Sequence, residues 1–201
     1  MCPVVLRCCA SMALAWLVAA PVAAEQAKLP AITFTPWTKF CLGDACFVGR
    51  EGRSKVDDVD CGPVVAAALI ARTGDSRKTL RVTLPTRVKV ERGVRIIIDQ
   101  GQAIERPYTN CFANGCMADY DAGAELVDRL KQAHTLALAA FDRANAPIGL
   151  TVPLVDFASA YDGPAQETKV IEEVLSAEEK QARSELAKRA EEERKARCEA
   201  N

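Results

Sequence analysis

The stretch Leu80-Arg81-Val82-Thr83-Leu84-Pro85 alternates apolar and polar residues without a break and stops at proline. A strand with one face in a core and the other half-wet has this pattern, and it ends where the backbone loses a donor. Upstream, Val64 to Ala71 is an apolar run followed by Thr73-Gly74-Asp75. Pairing it through that turn with Leu80–Leu84 makes a hairpin, although its alanines leave helix open. Downstream, Val88, Val90, Val94, Ile96 and Ile98 keep the alternation going around Gly93, and Asp99-Gln100-Gly101 closes it, so a strand pair is expected here. Further on, Leu136 to Phe141 and Ile148 to Leu154 flank the polar loop 142–147, which ends in Pro147. They read as strand, turn, strand. The body of the chain is therefore mainly β and antiparallel.

Two short helices interrupt it. Asp121 is a candidate N-cap for a helix over Ala122–Gln132, whose Leu126, Val127 and Leu130 share one face. Phe157, Ala160 and Tyr161 form a smaller face before Gly163-Pro164.

From Ala165 the composition changes to a charged tail without glycine or proline. Between Ala177 and Ala200, 14 of 24 residues are charged, seven of each sign. Glu179/Arg183, Glu185/Arg189, Glu191/Lys195 and Glu193/Arg197 are spaced i,i+4, each pair supporting a helix by about 0.2–0.5 kcal/mol. Leu186 is the one large apolar residue in that window, so a coiled-coil seam is disfavoured and a solvated helix is expected.

At the other end, Arg7 precedes an apolar stretch from Ala10 to Ala20, and Pro21-Val22-Ala23-Ala24 precedes Glu25. This is the layout of a secretory signal cleaved after Ala24. The run is shorter than the roughly 20 residues a membrane-spanning helix needs, so no stable span is expected after cleavage. Removing residues 1–24 turns 26 basic and 27 acidic residues into 25 and 27, which gives no electrostatic case for nucleic acid. The organisation is thus a signal at 1–24, a β domain at 25–164 and a tail at 165–201, placed in the periplasm or outside the cell.

Six cysteines remain after cleavage, an even number in a chain routed to an oxidising compartment. Cys41/Cys46 and Cys111/Cys116 share one spacing, which suggests two local bridges. Within Cys111–Cys116, Asn114-Gly115 is a hairpin turn signal, and closing six residues contributes roughly 2 kcal/mol by the chain-entropy argument. Cys61 and Cys198 are left over, to close on each other or to join two chains.

Chemistry is sparsely provided. His134 is the single histidine and has no recognisable nucleophile motif beside it, so a hydrolytic triad is not expected. With one histidine, Met117 and cysteines consumed in bridges, neither a metal nor another cofactor is expected. The competing chemistry is thiol-disulfide exchange at Cys111 and Cys116, but redox enzymes favour Cys-x-x-Cys at a helix N-terminus.

Together, Leu80–Pro85, the segment 93–102 from Gly93 to Gln102, the segment from Pro107 to Tyr120 containing Cys111-Phe112-Ala113-Asn114-Gly115-Cys116, and the segment from Val152 to Gly163 resemble the invasion-associated locus B family of bacterial envelope proteins. Trp37 with Cys41 and Cys46 resembles that family's opening tryptophan and cysteine pair. The resemblance covers residues 34–164. It implies an immunoglobulin-like antiparallel β-sandwich, a periplasmic or surface location and no catalytic residues. The expected role is that of a noncatalytic envelope or binding protein with a protein partner in the envelope or on a host cell, using loops or an exposed strand edge as its binding surface.

Overall fold

A computed structural model describes residues 31–56, 59–166 and 177–199. The signal reading at 1–24 lies outside these residues. Among the described residues, eleven strands fall into two antiparallel sheets. The larger contains β1 (Ala31–Phe34), β2 (Thr38–Leu42), β3 (Ala45–Val56), β4 (Val59–Arg72), β5 (Lys78–Leu84), β8 (Asn110–Phe112) and β9 (Gly115–Asp121). Its order is β1-β3-β4-β5-β9-β8, with β2 also pairing β3. The smaller sheet runs β11 (Pro147–Pro153), β10 (Thr135–Phe141), β6 (Val94–Ile98), β7 (Ile104–Arg106). The chain thus forms the expected β-sandwich-like fold.

The period-two pattern decides what lies between the sheets. Val65, Ala67 and Leu69 of β4, Leu80, Val82 and Leu84 of β5, and Ala118 and Tyr120 of β9 face Val94, Ile96 and Ile98 of β6 and Leu136, Leu138 and Ala140 of β10 in one core. Each such aliphatic side chain contributes roughly 1.5–3 kcal/mol on full burial. The 64–71 run is strand rather than helix. Its hairpin with β5 sets Ala66 opposite Thr83 and Ala71 opposite Lys78. The hairpin over 135–153 forms with Leu136 opposite Val152.

Two expectations are corrected. The strand pair expected along Val88–Ile98 around Gly93 does not form locally; Val94–Ile98 alone is a strand, and it pairs with β10 and β7 in the smaller sheet. Between β5 and β6 the chain crosses over, making a single 3-10 turn at Val90–Arg92. Gly93 then takes φ +60 with its backbone against Arg106 O, where a Cβ would lie 2.5 Å away. The first helix, α1 (Ala124–Gln132), starts later than Ala122, and Asp121 is not its cap. Asp121 is still in the β9 ladder opposite Thr79, and the Ala122 N–H donates to Lys78 O at 2.8 Å. Strand pairing claims those groups first. Leu126, Val127 and Leu130 are the buried face of α1, as their spacing requires. α2 (Phe157–Asp162) buries Phe157.

α3 (Ala177–Glu199) confirms the solvated helix: side chains 181–198 are exposed apart from Arg194 and Cys198. Those two face β4, where Arg194 Nη1 donates to Cys61 O at 3.1 Å and Cys198 is disulfide-bonded to Cys61. Glu191 pairs with Arg194, one helical turn on.

Two tyrosines in the core differ in a testable way. Tyr120 Oη donates to Val94 O across the sheets at 2.8 Å, whereas the buried Tyr108 Oη has no partner. Burial raises the pKa of both, Tyr108 to about 12. A raised folded pKa on a group that is neutral when protonated means stability is complete below the unfolded value near 10 and is lost as pH rises through 10 to 12. Tyr120→Phe is expected to cost about 1–3 kcal/mol by stranding Val94 O, and Tyr108→Phe to cost nothing or to stabilise. Urea titrations at pH 7 and pH 11 measure both effects. Equal costs would contradict the assignment.

Candidate functional site

The paired cysteines sit on two hairpins built alike. Cys41 stands opposite Cys46 across the loop Gly43-Asp44, and Cys111 opposite Cys116 across Ala113-Asn114. Both pairs have Cα–Cα 4.0 Å, close to the narrow, non-hydrogen-bonded antiparallel pair, and both are disulfide-bonded. The second turn lies one residue earlier than the Asn114-Gly115 reading. Gly115 already belongs to β9 at φ +144, with room for no more than hydrogen because a Cβ would approach Leu84 O to 2.7 Å. Facing cysteines fix this register. Cys111 and Cys116 therefore lie on strands rather than at a helix N-terminus, and Cys116 is buried.

The hairpins lie at opposite ends of the sheet, since Ala45 is level with Arg72 while Cys116 is level with Leu84. They staple separate corners and form no common site. Met117 lies on β9, opposite Asn110 and Thr83. His134 is exposed between α1 and β10. Its backbone N–H donates to Asp99 Oδ1 at 3.0 Å, and Thr135 donates to the same oxygen from its N–H at 2.9 Å and from Oγ1 at 3.1 Å. These bonds, led by the Thr135 N–H, hold the Asp99 carboxyl below its usual range. Threonine, histidine and carboxylate thus come together as a turn cap, with the carboxylate serving backbone groups. Among the described residues no cluster of three His, Cys, Asp or Glu is placed to hold a metal ion.

Of the polar groups that matter most to the architecture, the sequence singles out Trp37 but neither Arg50 nor Lys39. Trp37 Nε1 donates to Pro153 O at 3.1 Å, and Arg50 Nη1 reaches the same carbonyl at 2.7 Å. Arg50 also donates from Nε to Thr35 O at 2.9 Å and lies over the Phe34 and Trp37 rings. Desolvation lowers its pKa. Trp37 meets Phe157 edge to face at 4.9 Å, and Lys39 Nζ donates to Tyr161 O and Gly163 O, both at 2.9 Å. This knot ties β2, β3, β11 and α2 together. Counting by twos from buried Val48 places Arg50 on the inward phase of β3, the one sequence signal that could have flagged it.

Beside the knot runs the open side of the sandwich. β11 is the edge of the smaller sheet, and Pro147 and Pro153 bracket it. Pro153 O points outward to Trp37 and Arg50, so by alternation Gly149 and Thr151, both exposed, turn their backbone groups outward as well. Next to this short edge lies an apolar groove of about 190 Å³, lined by Val64, Leu84, Pro85, Arg87, Val88, Ile148 and Leu150.

Fold and site together define a disulfide-stapled antiparallel β-sandwich with an open strand edge. Residues 37–165 match the family described as invasion associated locus B (IalB) protein. The chain belongs to that family. It is also similar to the crystal structure of invasion associated protein b from Bartonella henselae, with TM-score 0.53 and 24% identity over 64% of this chain and 93% of that one. No curated protein matches it. The family and the three disulfides describe an exported protein, and among the described residues no helix is long and apolar enough to cross a membrane.

Proposed function

We propose that the protein is a noncatalytic binding module of the bacterial envelope, which engages an extended segment of a protein partner along β11. The observation that carries this reading is the β11 edge itself. Gly149 and Thr151 offer outward backbone groups directly beside the apolar groove at Ile148 and Leu150. Strand addition takes affinity from such groups and specificity from the neighbouring pocket. The noncatalytic part is supported by how the polar groups are used: Trp37, Lys39, Arg50 and Tyr120 donate to backbone carbonyls. The cross-strand setting of Cys111 and Cys116 supports stapling over thiol exchange, and a stapling bridge resists mild thiols. A part in invasion of host cells, after which the family is named, would use the same edge.

A photoreactive amino acid at Leu150 is expected to give a discrete crosslinked protein product in intact cells, while the same group at Leu186 on α3 gives none. Products of equal yield from both positions, or from neither, would refute the edge as the binding site.

A further inference from the structure

We propose that one end of the sandwich docks onto anionic phospholipid headgroups at a membrane surface. This goes beyond the partner reading of β11 and is measured independently of it. The end of β5, the start of β6, the end of β7, the tip of the β8–β9 hairpin and the β10–β11 loop come together there, as Leu84 opposite Cys116, Val94 opposite Arg106 and Val88 opposite Asp142 require. Within residues 85–93, 106–115 and 142–146 this end carries Arg87, Lys89, Arg92, Arg106 and Arg143 against Glu91 and Asp142. The β3–β4 hairpin, which reaches the same end on the other side of β5, pairs its Arg53 with Glu51 and Asp60.

None of those five cations belongs to an ion pair among the described residues. Elsewhere the arrangement differs: Arg53, Arg72, Arg77, Arg81, Arg95 and Lys131 each face a carboxylate. The cations at this end are held by neutral groups. Lys89 Nζ reaches Asn145 Oδ1 at 2.7 Å, Arg143 Nη2 reaches Thr86 O at 2.9 Å, and Arg92 lies 3.9 Å over the Phe141 ring. With Glu91 and Asp142 against five cations, these three segments carry a net charge of +3.

Two exposed apolar side chains lie at the same end of the sandwich. Phe112, beside the β8–β9 turn, is 58% exposed, and Val90, in the 3-10 turn, is 43% exposed. The exposed apolar residues of the other end, Leu42 and Val155, stand next to Asp44 and Asp156 instead. Apolar tips at the same end as Lys and Arg match a headgroup layer, which takes the cations at the phosphates and the tips at the acyl boundary. An acidic protein would account for the cations but leaves two water-exposed tips on separate loops without a role. α3 is tied to Cys61 at the start of β4, which lies at this end of the larger sheet on the side away from edge strand β8, and its 177–200 window carries equal charge of both signs and adds no net charge.

The test is co-sedimentation of the oxidised protein with vesicles of phosphatidylcholine alone and of phosphatidylcholine with phosphatidylglycerol, at low and high salt. Binding is expected to the anionic vesicles only and to fall steeply with salt. Each cation near such a surface changes affinity about fivefold, so Lys89→Gln/Arg106→Gln should weaken binding roughly 25-fold. Phe112→Ser should weaken it as well. Arg72→Gln/Arg77→Gln, which removes the same charge from the other end, should change it little. No binding to anionic vesicles, equal binding to neutral ones, or an equal loss in the Arg72/Arg77 variant would overturn the proposal, whatever a crosslink at Leu150 reports.

Discussion

Removing the tail bridge with Cys61→Ser/Cys198→Ser is expected to lower the unfolding free energy by up to about 5 kcal/mol, the largest single effect in the molecule. The bridge closes a separation of 137 residues, and the entropy withheld from the unfolded chain grows with loop length. Native-state contacts add little to this, because α3 is exposed apart from Arg194 and Cys198. The loss therefore comes from the unfolded state, and the β domain should keep its spectrum while its denaturation midpoint falls. Guanidinium titration of the oxidised variant and parent measures it. An unchanged midpoint would mean that the bridge does not form in the native protein. Nonreducing electrophoresis of the parent separates internal closure, which gives a monomer, from a covalent dimer.

Trp37→Ala is expected to cost about 3–5 kcal/mol, the range for deleting a buried aromatic. Trp37 is 7% exposed and fills the space between Phe157 and the Arg50 guanidinium. Its loss empties that space and leaves Pro153 O to Arg50 alone. Trp37→Phe keeps a ring against Phe157 and gives up the indole N–H, so it should cost less, with about 1 kcal/mol for the hydrogen bond. Thermal unfolding of the two variants gives the comparison. A cost below 1 kcal/mol for the alanine would show that the knot is not part of the core.

The sheets were legible wherever alternation and turn chemistry agreed. Leu80–Leu84 stops at Pro85 because proline has no N–H to pair, and Leu136–Phe141 folds back at a loop that ends in Pro147. Alternation failed at Val90, where the pattern continues but the chain leaves one sheet for the other. Period two reports which face a side chain takes and carries no information on which sheet it joins. The start of α1 was misread for a related reason. Asp121 has the chemistry of a cap, but a long-range ladder with Thr79 holds its backbone, and no local signal announces that partner.

The candidate site was less legible than the fold. Spacing singled out Cys41, Cys46, Cys111 and Cys116, yet the structure places them at separate corners. Arg50, Ile148, Leu150 and the unpaired cations gain their meaning from neighbours distant in sequence. Arg50 and Pro153, which meet at 2.7 Å, are 103 residues apart.

The protein is read as an exported sandwich locked by its own disulfides, whose edge and loops carry the proposed binding. Nonreducing peptide mapping of the protein recovered from the periplasmic fraction tests that reading most directly. The expected result is an N-terminus at Glu25, the pairs Cys41–Cys46, Cys111–Cys116 and Cys61–Cys198, and no free thiol. A retained Met1 on membrane-bound material, or Cys41 linked to Cys111, would contradict the account.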